Sequence, residues 1–280
     1  MTTTTQISGF LGHQELPIHT IAWTVSNPTA NVILLHGYGD HSARYGAVAH
    51  KLNGAGFSVY SMDFQGHGRS GGGRGYIHSF NDFVFDAKTL IETLRTRDSR
   101  TPLFLMGHSI GGLVIVHALA SPQLAEHVSG AVVLSPTVAV EGTPPDLVVQ
   151  ALEAAAAVLP NVPAGHVDPS KVSTDPVTVA EYETDPFVLH KKIGLRAGVQ
   201  LIRGAQFALK LAGDVATPVL VLSGTRDELA LPAGTQELYD RLASPDKTLT
   251  KYPDSSHELL NDVDAAQVVT QIQSWIAERT

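Results

Sequence analysis

The sequence predicts an α/β protein built on a mostly parallel, doubly wound sheet, and three observations lead there. Short apolar runs at residues 31–36, 57–62, 103–106, 131–134 and 218–222 lack the alternation of a half-exposed strand, as strands buried on both faces do. Helical patterns separate them, near 45–53, 80–97, 110–120, 233–242 and 264–278. Strand and helix alternating in this way implies a sheet covered by helices on both faces. The rhythm then breaks once, between residues 134 and 218.

A connection from strand to helix is normally a few residues long. The roughly eighty residues of this break therefore form an insertion, with helices expected at 146–159 and 195–211. Pro144, Pro145 and Pro160 bracket the first of these. It carries Leu147, Val148, Val149, Leu152, Val158 and Leu159 with four alanines at 154–157, so it is apolar nearly all round. Such a helix is either buried or turned toward lipid. After the break a last strand is expected at 248–252.

The chain has 280 residues, 43% of them hydrophobic, enough to bury a large core. That length fits one domain with an insertion about as well as two domains. The net charge of −8 leaves no electrostatic footprint for nucleic acid. There is no cysteine, which excludes disulfides, thiolate zinc sites and a cysteine nucleophile, and fits a reducing compartment. The first residues lack the basic and apolar regions of a signal peptide, and no run of 18 apolar residues spans a membrane. A cytoplasmic location is expected.

The strongest motif is Gly107-His108-Ser109-Ile110-Gly111, followed by Gly112. It fits G-x-S-x-G, follows an apolar strand and opens a helix, the context of a nucleophile elbow. The glycines permit a tight turn that lifts the hydroxyl to the N-terminus of a helix, where the dipole favours developing negative charge. The plain alternative is a turn serine capping a helix, and the motif alone leaves the two about even.

A serine nucleophile needs a base. Thirteen histidines are available. A triad in the order Ser, acid, His points to the last of them, His257, after the strand at 248–252. The orienting acid should follow the strand at 218–222, where Asp227 is the first choice and Glu228 the second. Oxyanion donors are expected at the backbone N–H of Ile110 and at that of Tyr38, in the loop His36-Gly37-Tyr38-Gly39-Asp40.

Gly66-His67-Gly68-Arg69-Ser70-Gly71 matches G-x-G-x-x-G, but Gly72, Gly73 and Gly75 follow, so no helix opens where a pyrophosphate would need one. A structured loop near the serine is expected instead. There is no P-loop and no metal-ligand spacing, so neither cofactor nor metal is expected.

Together these motifs resemble the monoglyceride lipase branch of the α/β-hydrolases, the lysophospholipase-like or serine aminopeptidase S33-type group. The resemblance runs through His36-Gly37-Tyr38-Gly39-Asp40-His41-Ser42-Ala43-Arg44-Tyr45, then Asp63-Phe64-Gln65-Gly66-His67-Gly68-Arg69-Ser70, the serine elbow, Tyr182-Glu183-Thr184-Asp185-Pro186 and the Asp227 and His257 stretches. It implies a hydrolase core at 1–136 and 214–280 and a helical cap at 137–213, inserted after the sixth strand. It implies an apolar tunnel for one acyl chain, a small polar end for glycerol near Asp40, Arg44 and Tyr182, and transient contact with a lipid surface through the cap. Some members carry a second histidine three residues past the catalytic one; here Leu260 stands there.

The expected activity is thus hydrolysis of a carboxylic ester, with a monoacylglycerol as the leading substrate. A lysophospholipase, a short-chain carboxylesterase or an acyltransferase would use the same residues. Ser109 argues against dehalogenases and epoxide hydrolases of this fold, whose nucleophile is an aspartate. A non-catalytic binding protein is the alternative from another class, because fold alone does not fix function.

Overall fold

The computed structural model describes residues 3–138 and 144–280. Eight strands form one sheet: β1 (Thr3–Leu11), β2 (Pro17–Val25), β3 (Ala30–Leu35), β4 (Phe57–Met62), β5 (Leu103–His108), β6 (Gly130–Leu134), β9 (Val219–Gly224) and β10 (Lys247–Tyr252). Their order is β1-β2-β4-β3-β5-β6-β9-β10. From β4 to β10 all neighbours pair in parallel, while β1 and β2 join the β4 edge antiparallel.

The interior strands β3, β5, β6 and β9 are buried along their whole length, as their unbroken apolar runs require. Successive side chains nevertheless point to opposite faces. Ile33, Leu35, Leu105, Val133 and Val221 belong to one core, packed with α2 (Phe80–Arg97), α3 (Ile110–Leu119) and α8 (Pro232–Arg241). Val32, Leu34, Phe104, Val132 and Leu222 belong to the other, packed with α1 (Gly46–Gly54) and α9 (Ala265–Ala277). The short α4 (Pro122–Ala125) leads into β6. α2 starts where the sequence signals it: Ser79 and Asp82 form a capping box.

A cap after the sixth strand implies two strands before β3, but the sequence patterns assign no residues of the N-terminal hairpin to strands. β2 buries Ile21, Trp23 and Val25 on one face, while on the other Ile18 joins the opposite core and Ala22 and Thr24 stay half-buried, so its pattern is that of an edge-side strand and not of a doubly covered one. β1 is exposed along nearly all of its length and carries no burial signal.

After β6 the chain leaves the sheet and returns at β9. In between lie α5 (Asp146–Val158), the small antiparallel pair β7 (Pro163–Gly165) and β8 (Ile193–Gly194), α6 (Pro176–Thr184) and α7 (Leu195–Leu211). Residues 139–143 of this excursion lie outside the described residues. α7 packs on α3 and carries α5 on its other side, through Val149 and Ala156 against Val199. Leu152 packs partly against the same cluster, while Leu147 and Val158 are each 78% exposed, and Val148, Leu159 and Val162 are exposed beside them. The all-round apolar pattern is therefore divided by face, one side packed and one side open. Among the described residues no helix is long and apolar enough to cross a membrane.

Candidate active site

Ser109 stands between β5 and α3 with φ 56° and ψ −119°, a backbone region that non-glycine residues rarely occupy. The neighbouring glycines make this possible. A Cβ at Gly107 would strike the Gly111 backbone, and one at Gly111 would strike the Leu35 backbone. The Ser109 N–H donates to Leu134 O at 2.9 Å, which ties the elbow to the end of β6. Ile110 opens α3, so its N–H is one of the helix's orphan donors. Neither this N–H nor that of Tyr38 is given to another protein acceptor among the described residues.

His257 lies in the loop after β10 and Asp227 in the loop after β9. Asp227 Oδ2 accepts from His257 Nδ1 at 2.8 Å, while its Oδ1 accepts from the N–H groups of Leu229 and Ala230. That arrangement leaves Nε2 as the working nitrogen. Burial alone would depress the imidazole, but the Asp227 carboxylate prevails and holds its pKa above the ordinary value. Burial likewise pushes Asp227 up, and the imidazole pulls it below the usual carboxylate range. Glu228 borders the same cavity as His257 but is two-thirds exposed and paired with Lys171 Nζ at 2.7 Å.

Ser109 and His257 line one cavity of about 530 Å³, together with Tyr38, Asp40, Ile110 and Tyr182. Its apolar lining includes Leu113 of α3 and Ile193, Leu201, Ile202 and Ala205 in and beside α7. Its polar lining includes Asp40, Tyr182 and Glu258. The hydrogen bond that Ser109 Oγ makes is to Thr137 Oγ1, at 2.7 Å.

Arg44 does not line that cavity. It faces a second, polar cavity with Glu181, Thr184, Asp185 and Asn261. Its guanidinium is held by Glu258 through two bonds of 2.7 and 2.8 Å and by Asp40 at 3.1 Å, and it lies over the Tyr182 ring at 5.0 Å. Burial would raise the Asp40 pKa, but Arg44 beside it brings it down to about 2. Tyr45 donates to Asp40 Oδ2 at 2.7 Å and lies 3.2 Å from His108 Nδ1. His108 Nε2 in turn donates to the His257 carbonyl at 3.1 Å. A neutral His108 fits this role, since burial takes its pKa down to about 3.

The segment before α6 is fastened to the His257 loop. Ser256 Oγ donates to Lys171 O at 2.8 Å and Glu258 N–H to Val172 O at 2.7 Å. Asp262 receives Thr174 N–H at 3.0 Å and Ser256 N–H at 2.7 Å, and Thr178 Oγ1 donates to Asn261 O at 2.7 Å.

The glycine cluster at 66–75 forms a loop, and α2 opens only at Phe80. It stands behind Tyr38, whose hydroxyl donates to Gly75 O at 2.9 Å, and does not itself line the cavity with Ser109. Sequence reasoning missed Thr137, His108, Tyr45 and Glu258. His108, Tyr45 and Glu258 sit inside motifs already singled out. Thr137 belongs to none.

A family model described as serine aminopeptidase, S33, matches residues 26–264. A monoacylglycerol lipase of Mycolicibacterium smegmatis is 37% identical over 256 residues, covering 91% of this chain and 90% of that protein. The monoglyceride lipase of Mus musculus is 31% identical over 255 residues, covering 90% of this chain and 84% of that protein. Among solved structures, the monoacylglycerol lipase of Paleococcus ferrophilus matches with a TM-score of 0.83 at 30% identity, over 95% of this chain and all of that one.

Proposed function

Because this chain belongs to the serine aminopeptidase S33 family of α/β-hydrolases and is a carboxylic ester hydrolase, we propose that it cleaves monoacylglycerols to fatty acid and glycerol through an acyl-enzyme on Ser109. The observation that carries the proposal is the cavity that Ser109 and His257 line together with apolar residues of α3 and α7 and with the polar residues Asp40, Tyr182 and Glu258. An apolar wall suits one acyl chain, and the polar residues suit a small polyol.

His257 Nε2 takes the Ser109 proton as Oγ attacks the ester carbon, and then gives it to the departing glycerol. Asp227 keeps the imidazole oriented and stabilises its charged form. The N–H groups of Tyr38 and Ile110 receive the oxyanion, each such donor being worth roughly 3–4 kcal/mol in other enzymes. Water then enters and His257 repeats the proton transfer to release the acid. Asp40 and Tyr182 serve the glycerol end, with Arg44 supporting Asp40 from behind.

Residues 137–213 act as a cap over the core made by 1–136 and 214–280. Its outward apolar residues Leu147, Val148, Val158, Leu159 and Val162 support transient contact with a lipid surface by an otherwise cytoplasmic enzyme.

The test is a rate profile over a monoacylglycerol series, matched di- and triacylglycerols and lysophospholipids, with Ser109→Ala as control. Monoacylglycerol should be turned over fastest. Faster cleavage of lysophospholipid would replace the proposed substrate while leaving the mechanism standing.

A further inference from the structure

Thr137 stands at the nucleophile and no motif accounts for it. Its hydroxyl is 2.7 Å from Ser109 Oγ, and both side chains border the cavity. The segment that carries it is held on two sides. Ser109 N–H bonds Leu134 O at its start, and Ser135 N–H bonds Leu222 O of β9, both at 2.9 Å. Ser135 has φ 42°, a left-handed conformation that costs a non-glycine residue roughly 1–3 kcal/mol. Its own hydroxyl is buried without a partner among the described residues. The chain thus bends unfavourably two residues before Thr137, and the bend brings a second hydroxyl to the nucleophile.

We infer that Thr137 is a further catalytic residue, donating its O–H to Ser109 Oγ and assisting the breakdown of the acyl-enzyme. This rests on Ser109 being the nucleophile. Either hydroxyl can donate at 2.7 Å; once Ser109 turns its own proton toward His257, which borders the same cavity, Oγ has a lone pair left to accept from Thr137. In the acyl-enzyme Oγ is an ester oxygen and a poor acceptor, so the bond is weak. Deacylation reverses this. Water adds to the acyl carbon and yields its proton to His257, the carbon–Oγ bond breaks, and the electron pair returns to Oγ, which takes the proton back from His257. A donor at Oγ strengthens its bond as that pair arrives. Only an interaction stronger in the transition state than in the state before it speeds a step. Thr137 therefore accelerates deacylation, while acylation starts from a free serine already bonded to it and gains little.

The distinguishing measurement is a burst experiment with p-nitrophenyl butyrate, a soluble ester whose good leaving group makes deacylation limiting. The parent enzyme should show a burst of p-nitrophenol equal to the enzyme present, with labelling of Ser109 by a fluorophosphonate. Thr137→Val should keep the burst and kcat/KM, while kcat falls about fivefold, the effect of one ordinary hydrogen bond, and KM falls in proportion. Thr137→Ser, which retains the donor, should recover most of the lost kcat. Thr137→Ala is the second variant if valine disturbs folding, and must show the same split. A parallel fall in kcat and kcat/KM, or no change in either, would overturn the role of Thr137 while the burst still upholds Ser109. A parent without burst or labelling overturns both.

Discussion

Arg44 grips Glu258 with both arms of its guanidinium, Nη1 to Oε1 at 2.7 Å and Nη2 to Oε2 at 2.8 Å. The two residues are 214 apart in sequence. One follows the loop that carries Tyr38 and the other follows His257, so the pair ties together two loops that border one cavity. Planar bidentate pairing of this kind is a property of arginine that lysine cannot copy.

Removing Arg44 alone leaves Glu258 and Asp40 buried as uncompensated charges. Breaking a buried pair from one side costs roughly 3–5 kcal/mol. Arg44→Met should lower the unfolding midpoint accordingly, and Arg44→Met with Glu258→Leu should recover part of it. Denaturant unfolding of the single and double variants measures this. A single variant as stable as the parent would show that the pair contributes nothing.

Ser109→Ala should abolish turnover and fluorophosphonate labelling, while circular dichroism and melting stay those of the parent. His257→Ala should be comparably severe, and the double variant little worse than either, because triad members act as a unit. Retention of most activity in Ser109→Ala would end the mechanism.

The pH profile follows from the His257–Asp227 pair. A base must be neutral to work, and Asp227 holds the protonated ring in place above the ordinary pKa of 6.5. The rate should therefore rise with pH along a limb centred above 6.5 and level off on its alkaline side. Asp227→Asn removes the carboxylate, so the limb should move to lower pH as the rate drops by roughly 10⁴-fold, as it does in a protease triad. Glu228→Gln, at an exposed position, should be mild. A severe Glu228→Gln beside a mild Asp227→Asn would exchange their roles.

On α5, polar substitutions should divide by face. Leu147→Ser and Val158→Ser replace exposed residues and should change stability by no more than about 0.5 kcal/mol. They should weaken vesicle co-sedimentation and activity on emulsified long-chain monoacylglycerol, while leaving a soluble short-chain ester untouched. Val149→Ser buries a hydroxyl against Val199 and should cost about 1–3 kcal/mol. Equal losses on all substrates for Leu147→Ser would remove lipid contact from consideration.

What could be read from the sequence divides along a physical line. The interior strands announced themselves because burial on both faces leaves only apolar residues, and β4 and α2 fall at the expected residues. β1 escaped because an exposed edge strand such as TTTQISGFL has no burial pattern to read. Asp227 and His257 could be anticipated from strand order, and they meet at 2.8 Å. Thr137 could not be anticipated. Its proximity to Ser109 comes from a left-handed serine two residues earlier, and backbone conformation at a single non-glycine residue leaves no mark in composition or period. Arg44 illustrates a related limit: its position in a motif says that it is near the site, while only its partners say which way it faces.

The fastening of residues 171–178 onto the His257 loop bears on how freely this molecule can be recombined. A chimera made by swapping the excursion at residues 137 and 213 for a relative's would replace the segment that aims the carbonyls of Lys171 and Val172 at Ser256 and Glu258, on either side of His257. It would also strip Thr174 from Asp262. The base would then sit in a loop evolved for supports that are gone. Transplants should retain 169–178 with the host and exchange only the stretch that carries α5, so that the part of the enzyme free to diversify is smaller than the insertion itself.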